Sequence, residues 1–90
     1  MPADLPTRRR VVRAIASSSG ASVKRIRDSD SLVARLGYDS LRMASLAIAL
    51  EDEFGRPLLL AEWIARAPDP EALTVGSLCD YVTEILEHDE

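Results

Sequence analysis

The chain has 90 residues and a mass of 9.9 kDa, enough for one small domain but too little for a catalytic domain with its own cofactor fold. Hydrophobic residues make up 47% and aromatic residues 4%, so a modest and mainly aliphatic core is expected. A single cysteine, Cys79, and a single histidine, His88, leave no material for an internal disulfide, a zinc cluster or a Cys–His nucleophilic pair.

The net charge of −4 is unevenly distributed along the chain. Residues 1–45 contain nine Lys or Arg and four Asp or Glu, whereas residues 46–90 contain two and eleven. The N-terminal basic cluster consists of Arg8, Arg9, Arg10, Arg13, Lys24, Arg25 and Arg27. Such a cluster favours acidic partners, but no aromatic residues alternate with it to stack on bases. A solvated surface is therefore the favoured interpretation, and nucleic-acid binding is not expected.

No apolar stretch approaches the roughly 18 residues that a membrane span requires, since Ser45 interrupts the longest one. The basic N-terminal region does not continue into the apolar segment of a secretory signal, because Arg13 and residues 17–20 break it. We therefore expect a cytoplasmic protein that does not cross a membrane.

The first helix is predicted from about residue 7 to residue 17, with Thr7 as its candidate N-cap. Its expected core positions are Val11, Val12, Ile15 and Ala16. A long polar segment follows, in which Val23 and Ile26 are the isolated apolar anchors and residues 30–37 are predicted to form one capped turn of helix closed by Gly37. A loop of this length in a small domain is either disordered or functional.

Asp39 is the predicted N-cap of the clearest helix, which runs from about residue 40 to residue 54 before Gly55 and Pro57. The core stripe consists of Met43, Leu46, Ala47, Leu50 and Phe54. Leu41, Ala44 and Ile48 form a second stripe beside it, more than one amphipathic helix needs. We interpret this stripe as an exposed contact surface for another protein. The alternative is a helix wedged between two neighbours and buried on both stripes.

A short third helix is predicted near residues 60–65, with Trp63 and Ile64, before the two prolines of Pro68-Asp69-Pro70. Thr74 is the predicted N-cap of the last helix. Leu73 with Leu78 forms a hydrophobic staple, and the buried face is Val75, Leu78, Cys79, Val82, Ile85 and Leu86. The pattern predicts an all-α, small four-helix bundle with a long first loop, one domain over residues 1–90 and a helical core at about 7–86.

Asp39-Ser40-Leu41 is by itself a common sequence for the start of a helix, with Asp39 as the N-cap. The sequence around it is less common. A long loop precedes Ser40, and the helix that Ser40 begins has an apolar stripe that we expect to be exposed. A phosphodiester on Ser40 would meet the positive end of the helix macrodipole, which stabilises an exposed anion by about 0.3 to 1 kcal/mol. The placement suits a modification site.

Three ordered blocks resemble the acyl carrier protein family. They are Leu36-Gly37-Tyr38-Asp39-Ser40-Leu41, Leu50-Glu51-Asp52-Glu53-Phe54-Gly55 and Leu73-Thr74-Val75-Gly76-Ser77-Leu78. The resemblance implies an acyl-carrier-like bundle in which the serine of the Gly-x-Asp-Ser-Leu motif carries a 4′-phosphopantetheine arm derived from coenzyme A. The thiol of the arm holds acyl groups as thioesters, and Ser40 is at the position of this serine.

The resemblance also implies roles for the neighbours of Ser40 and for partner enzymes. Asp39 resembles the acidic residue that helps hold Mg²⁺ in the complex with phosphopantetheinyl transferase, and Leu41 resembles an exposed leucine that docks on partners. The other implied partners load or extend the chain: a ketosynthase, an acyltransferase or an adenylating enzyme. Since no residues supply a general base, an oxyanion hole or a bound metal, we do not expect an enzyme. The resemblance implies a phosphoprotein, and a monomer is the default expectation.

The helix after Ser40 departs from many fatty-acid carriers, whose first two turns are acidic. Arg42 and Ser45 occupy those turns here, and the acidic residues lie at positions 51–53. We therefore expect partners to contact four residues of this helix: Leu41, Arg42, Ala44 and Ile48.

Tyr38-Asp39 resembles polyketide-type carriers more than peptidyl carriers, which more often have a second glycine and a histidine before the serine. The resemblance thus predicts a discrete carrier of a polyketide or hybrid pathway. Three alternatives stay open: an aminoacyl or peptidyl carrier of a non-ribosomal peptide pathway, an unmodified carrier-like scaffold, and an unmodified helical interaction module that uses the basic cluster.

Overall fold

The structure is a computed structural model that describes residues 5–88, with side chains for residues 6–87. The ends of the predicted 1–90 domain and the side chain of His88 lie outside this description. The described residues form four α-helices, α1 (Leu5–Ser19), α2 (Ser40–Phe54), α3 (Leu60–Arg66) and α4 (Val75–His88), and two short 3₁₀ helices (Val23–Arg25 and Pro70–Ala72). The predicted all-α bundle with a long first loop and a short third helix is confirmed.

Helix α1 is longer than predicted at both ends. It already includes Leu5, so Thr7 lies buried inside the first turn and the prediction of Thr7 as the N-cap is wrong. At the other end the helix continues through the serines to Ser19, and Gly20 ends it with a left-handed φ of 79°. The hydroxyl of Ser18 donates to the carbonyl oxygen of Ile15 at 3.3 Å, so serines are tolerated in this last turn.

Helices α1 and α2 pack side by side in opposite directions. Near the start of α1, Nε of Arg10 donates to Oε2 of Glu53 at 2.9 Å, and its guanidinium also donates to the main-chain oxygen of Glu53. The guanidinium carbon lies 4.3 Å from the ring centroid of Phe54. A cation is favourable at this end of α2, because the last carbonyls of a helix lack partners and carry partial negative charge.

Two residues of the predicted basic cluster form ion pairs with other parts of the chain. Arg10 is engaged with α2, and Nη2 of Arg8 lies 2.6 Å from Oδ1 of Asp28 in the first loop. Both side chains keep partial contact with solvent. Because two of its seven members pair within the chain, the cluster does not form one continuous free basic surface.

The long first loop is anchored by apolar side chains and by one tight turn. Ile26 is buried, as predicted, but Val23 is 51% exposed, so the prediction of Val23 as an anchor is wrong. Val23 begins a 3₁₀ helix of which no residue is buried. The capped turn is present, although residues 30–37 form no helix: the hydroxyl of Ser31 accepts from the amide of Ala34 at 3.1 Å, and Gly37 follows with a φ of 72°.

The first loop also supplies backbone partners for the start of α4. The amide of Val75 donates to the carbonyl oxygen of Asp30 at 2.9 Å, and the amide of Gly76 donates to that of Asp28 at 2.8 Å. These bonds satisfy amides that a helix start otherwise leaves without intrahelical partners. A Cβ at Gly76 would lie 3.3 Å from the Asp28 oxygen, so this close approach favours glycine.

The core is mainly aliphatic, as the composition predicted, although Tyr38, Trp63 and Tyr81 are also buried in it. Leu46 and Leu50 of the predicted α2 stripe are fully buried, while Met43, Ala47 and Phe54 are partly buried against the same core. The fully buried residues from the other elements include Val11, Ile15, Leu32, Val75, Leu78 and Val82. Ala16, Ile85 and Leu86 are partly rather than fully buried.

The two C-terminal helices begin and end close to their predicted limits. Helix α3 extends one residue beyond the prediction, and its Trp63 is buried, with Nε1 donating to the hydroxyl of Ser77 at 2.9 Å. Thr74 is confirmed as the cap of α4, because its Oγ1 accepts from the amide of Ser77 at 3.1 Å. Leu73 and Leu78, the predicted staple, are both buried.

Candidate functional site

Ser40 is the first residue of α2, and its side chain is exposed. The preceding Asp39 is the N-cap: its Oδ1 accepts from the amide of Arg42 at 2.9 Å, and its carbonyl oxygen accepts from the amide of Met43 at 2.9 Å. The first turn contains no acidic residue. Ser40 therefore lies at the positive end of a 15-residue helix dipole, where the Asp39 carboxylate already binds one of the free amides, that of Arg42.

Tyr38 anchors the segment before Ser40 to helix α1. Gly37 turns the chain with its left-handed φ, and Tyr38 is 3% exposed. The hydroxyl of Tyr38 donates to the carbonyl oxygen of Ile15 at 2.9 Å and also contacts the hydroxyl of Ser18. Burial raises the pKa of Tyr38, so its hydroxyl stays protonated as a hydrogen-bond donor well above neutral pH. Sequence reasoning treated Tyr38 only as a family marker and missed this anchor.

Arg42 is the third residue of α2 and is exposed. Its Nη1 donates to the carbonyl oxygen of Ser19, the last residue of α1, at 3.0 Å. The sequence pattern assigned Arg42 to a partner surface. The structure places its guanidinium against the end of a neighbouring helix of the same chain.

The second apolar stripe of α2 is exposed. Leu41 is 76% and Ile48 is 64% exposed, and Ala44 also lies at the surface. The alternative in which α2 is buried on both stripes is therefore wrong. Because the bundle covers α2 on the side of Leu46 and Leu50, no other element among residues 5–88 packs against the stripe beside it.

A groove of about 450 Å³ opens beside Ser40. Its apolar walls come from the first loop, α2, α3 and the segment before α4, through Val33, Met43, Ile64 and Leu73. The serine is thus bordered by apolar surface as well as by the polar start of a helix.

The described residues contain no group of three or more His, Cys, Asp or Glu side chains placed to hold a metal ion. Within the same part of the chain, no helix is both long and apolar enough to span a bilayer.

Comparison with known proteins decides the family. Residues 9–82 match the family model for the phosphopantetheine attachment site. The chain belongs to this family of carrier domains. These domains bear covalent 4′-phosphopantetheine and work as non-catalytic carriers with modifying and biosynthetic enzymes. The search of solved structures gave no significant match.

The surroundings of Ser40 fit the prosthetic group of a carrier domain. Attachment requires a hydroxyl that a transferase can reach, and the Ser40 side chain is exposed at a helix start. The phosphodiester needs favourable electrostatics, which the α2 N-terminus provides. When bound, the group supplies a thiol that forms thioesters. At this site Ser40 would supply the hydroxyl, Asp39 the helix cap and the groove the apolar surface beside them.

Cys79 is expected to be inert in the native carrier domain. It is 2% exposed, and burial raises the pKa of its thiol to about 11, so little reactive thiolate exists near pH 8. In protein without the arm, we expect iodoacetamide at pH 8 to label Cys79 on the order of 100-fold more slowly than in denaturant. Intact-mass time courses measure both rates. Equal rates in the native and denatured protein would show that Cys79 is not protected.

Proposed function

We propose that this carrier domain is a monomeric and cytoplasmic acyl carrier, and that Ser40 bears its 4′-phosphopantetheine arm. The arm would hold acyl intermediates as thioesters and present them to the enzymes of a polyketide or hybrid pathway. The observation that carries the proposal is the exposure of Ser40 at the first position of α2, directly after its capping aspartate.

Three other serines of the matched segment, Ser31, Ser45 and Ser77, offer less suitable hydroxyls. Ser31 is buried and its hydroxyl caps the loop turn, while the hydroxyl of Ser77 accepts from the indole of Trp63. Ser45 is exposed but lies inside α2, where main-chain amides are already bonded to carbonyls of the preceding turn. Only the start of a helix offers amides to an attached phosphodiester, which favours Ser40 over Ser45.

Asp39 would have two roles in succession. In the free domain its carboxylate caps α2 through the amide of Arg42. The side chain is also exposed, so in a complex with phosphopantetheinyl transferase it could contact the Mg²⁺ that accompanies coenzyme A. Hard divalent cations prefer such carboxylate oxygens.

The exposed stripe of α2 is proposed as the surface that partner enzymes contact. Leu41, Ala44 and Ile48 form its apolar part, and Arg42 adds a positive charge beside Ser40. Proposed partners are the transferase and enzymes that load or extend the cargo: a ketosynthase, an acyltransferase or an adenylating enzyme. The polyketide assignment is supported by Tyr38-Asp39 before the serine.

The first experiment is incubation of the purified protein with coenzyme A, Mg²⁺ and a broad-specificity phosphopantetheinyl transferase, followed by intact-mass measurement. We expect wild type and the matched control Ser45→Ala to gain one phosphopantetheinyl group, and Ser40→Ala to gain none. The melting temperature of Ser40→Ala should stay close to that of wild type, because an exposed hydroxyl contributes little to stability.

A gain of mass in Ser40→Ala would contradict the assignment of Ser40, and the absence of any gain in folded wild type would contradict the carrier proposal. The pathway is tested on the loaded protein. Acylation by an acyltransferase with acyl-coenzyme A supports a polyketide carrier. Loading only by an adenylating enzyme with an amino acid would instead assign the chain to a peptide pathway.

A further inference from the structure

The start of α2 is joined to the end of α1 at two points that flank Ser40. Two residues before the serine, the hydroxyl of Tyr38 donates to the carbonyl oxygen of Ile15 at 2.9 Å. Two residues after it, Nη1 of Arg42 donates to the carbonyl oxygen of Ser19 at 3.0 Å. Both acceptors belong to the last five residues of α1.

The end of α1 is a favourable place for a positively charged donor. The last four carbonyls of a helix lack intrahelical partners and carry partial negative charge, and that of Ser19 is one of them, yet the last turn of α1 contains no basic residue. Arg42 supplies from α2 the positive charge that α1 lacks. Tyr38 supplies a neutral donor. Because Tyr38 is buried, leaving its hydroxyl without a hydrogen-bond partner would cost free energy.

These contacts fall where α2 needs support. Asp39 and Ser40 are exposed, and the first residues of a helix open more readily than its middle. The transfer reaction needs the Ser40 oxygen at a defined place, and small misplacements of a reacting atom slow a reaction strongly. A side chain that ties the helix start to the bundle therefore limits how far the serine can move.

We infer that Tyr38 and Arg42 are positioning residues for phosphopantetheinyl transfer, holding the start of α2 against α1 so that the Ser40 hydroxyl is presented in one geometry. The inference rests on the proposed role of Ser40. It assigns Arg42 an intramolecular function that comes before any contact with a partner.

The chain contains a matched control for Tyr38. Tyr81 is also buried, and its hydroxyl donates to the carbonyl oxygens of Leu58 and Leu59 at 2.8 and 2.9 Å. Both acceptors come shortly after the C-terminal end of α2. The helix is about 22 Å long, so this end is far from Ser40. Tyr38→Phe and Tyr81→Phe thus remove the same atom from similar surroundings, but only Tyr38→Phe releases the start of α2.

The first readout is amide hydrogen exchange in the unmodified protein. We expect the amides of Arg42 and Met43 to exchange about three- to ten-fold faster in Tyr38→Phe than in wild type, the effect of losing one hydrogen bond, and to be unchanged in Tyr81→Phe. Arg42→Gln is a second, exposed variant with the same expectation, and Arg42→Lys should restore part of the protection because lysine still donates.

The second readout is the kinetics of transfer from coenzyme A. We expect kcat to fall about three- to ten-fold in Tyr38→Phe while KM for the carrier changes less than two-fold, because the exposed stripe is intact. Tyr81→Phe should keep both constants, even if both variants lose similar melting temperature.

The outcomes separate the inference from the proposed function. If wild type is modified on Ser40 but Tyr38→Phe and Tyr81→Phe match in exchange and in kcat, the positioning role is overturned and the carrier proposal stands. Unchanged exchange at Arg42 and Met43 in both Tyr38→Phe and Arg42→Gln would also overturn it. If folded wild type is not modified, the proposed function fails and the inference fails with it.

Discussion

Leu46→Ala is expected to lower the free energy of unfolding by about 2 to 5 kcal/mol. Leu46 is fully buried in the core stripe of α2, so truncation removes apolar contacts and leaves a cavity. Domains of this size have only about 5 to 15 kcal/mol of stability in total, so much of the protein should unfold under mild conditions. Urea denaturation followed by circular dichroism at 222 nm measures the change, and Leu50→Ala should behave alike.

The control is Ile48→Ala, which lies two residues away on the same helix but is 64% exposed. We expect its effect to stay within about 0.5 kcal/mol, as for most surface substitutions. Similar losses for Leu46→Ala and Ile48→Ala would mean that both stripes of α2 are core.

Leu41→Asp and Ile48→Asp are expected to reduce kcat/KM for transfer of cargo to a partner enzyme by at least about ten-fold, with little change in unfolding midpoint. A few apolar side chains at the centre of an interface commonly supply most of its binding energy, and a charge there must lose its hydration. Both positions are exposed in the free domain, so the same charge costs little before binding. Transfer assays on the loaded protein and thermal unfolding test the two halves of this prediction.

Leu59→Asp serves as the control for the added charge. Leu59 is 58% exposed and precedes α3, near the end of α2 remote from Ser40. Its φ of 51° lies in the left-handed region, which aspartate adopts more readily than leucine. Loss of transfer in Leu59→Asp equal to that in Leu41→Asp would count against a docking surface on α2. A large loss of stability in Leu41→Asp would show instead that its stripe is core.

Local signals predicted the helices best. The limits of α2 follow from a capping carboxylate at Asp39 and a left-handed glycine at Gly55, and both act within four residues of the helix end. The cap of α4 at Thr74 was predictable for the same reason. Prediction failed where local signals were weak: Thr7 looks like a cap, but the helix already includes Leu5.

Apolar character alone does not determine burial in an irregular segment. Val23 and Ile26 are three residues apart in the first loop, and only Ile26 reaches the core. No periodic pattern relates the two positions to a buried face, so the path of the chain over the bundle decides between them.

The sequence by itself determined the fold class, the limits of α2 and the position of Ser40 at a helix start, because caps, glycines and helical periodicity act over a few residues. Only the tertiary structure decided what surrounds that serine. The bonds from Tyr38 to Ile15 and from Arg42 to Ser19 each join residues 23 positions apart. Such contacts arise from the antiparallel packing of α1 on α2, which sets side chains beside carbonyls that no local pattern relates to them.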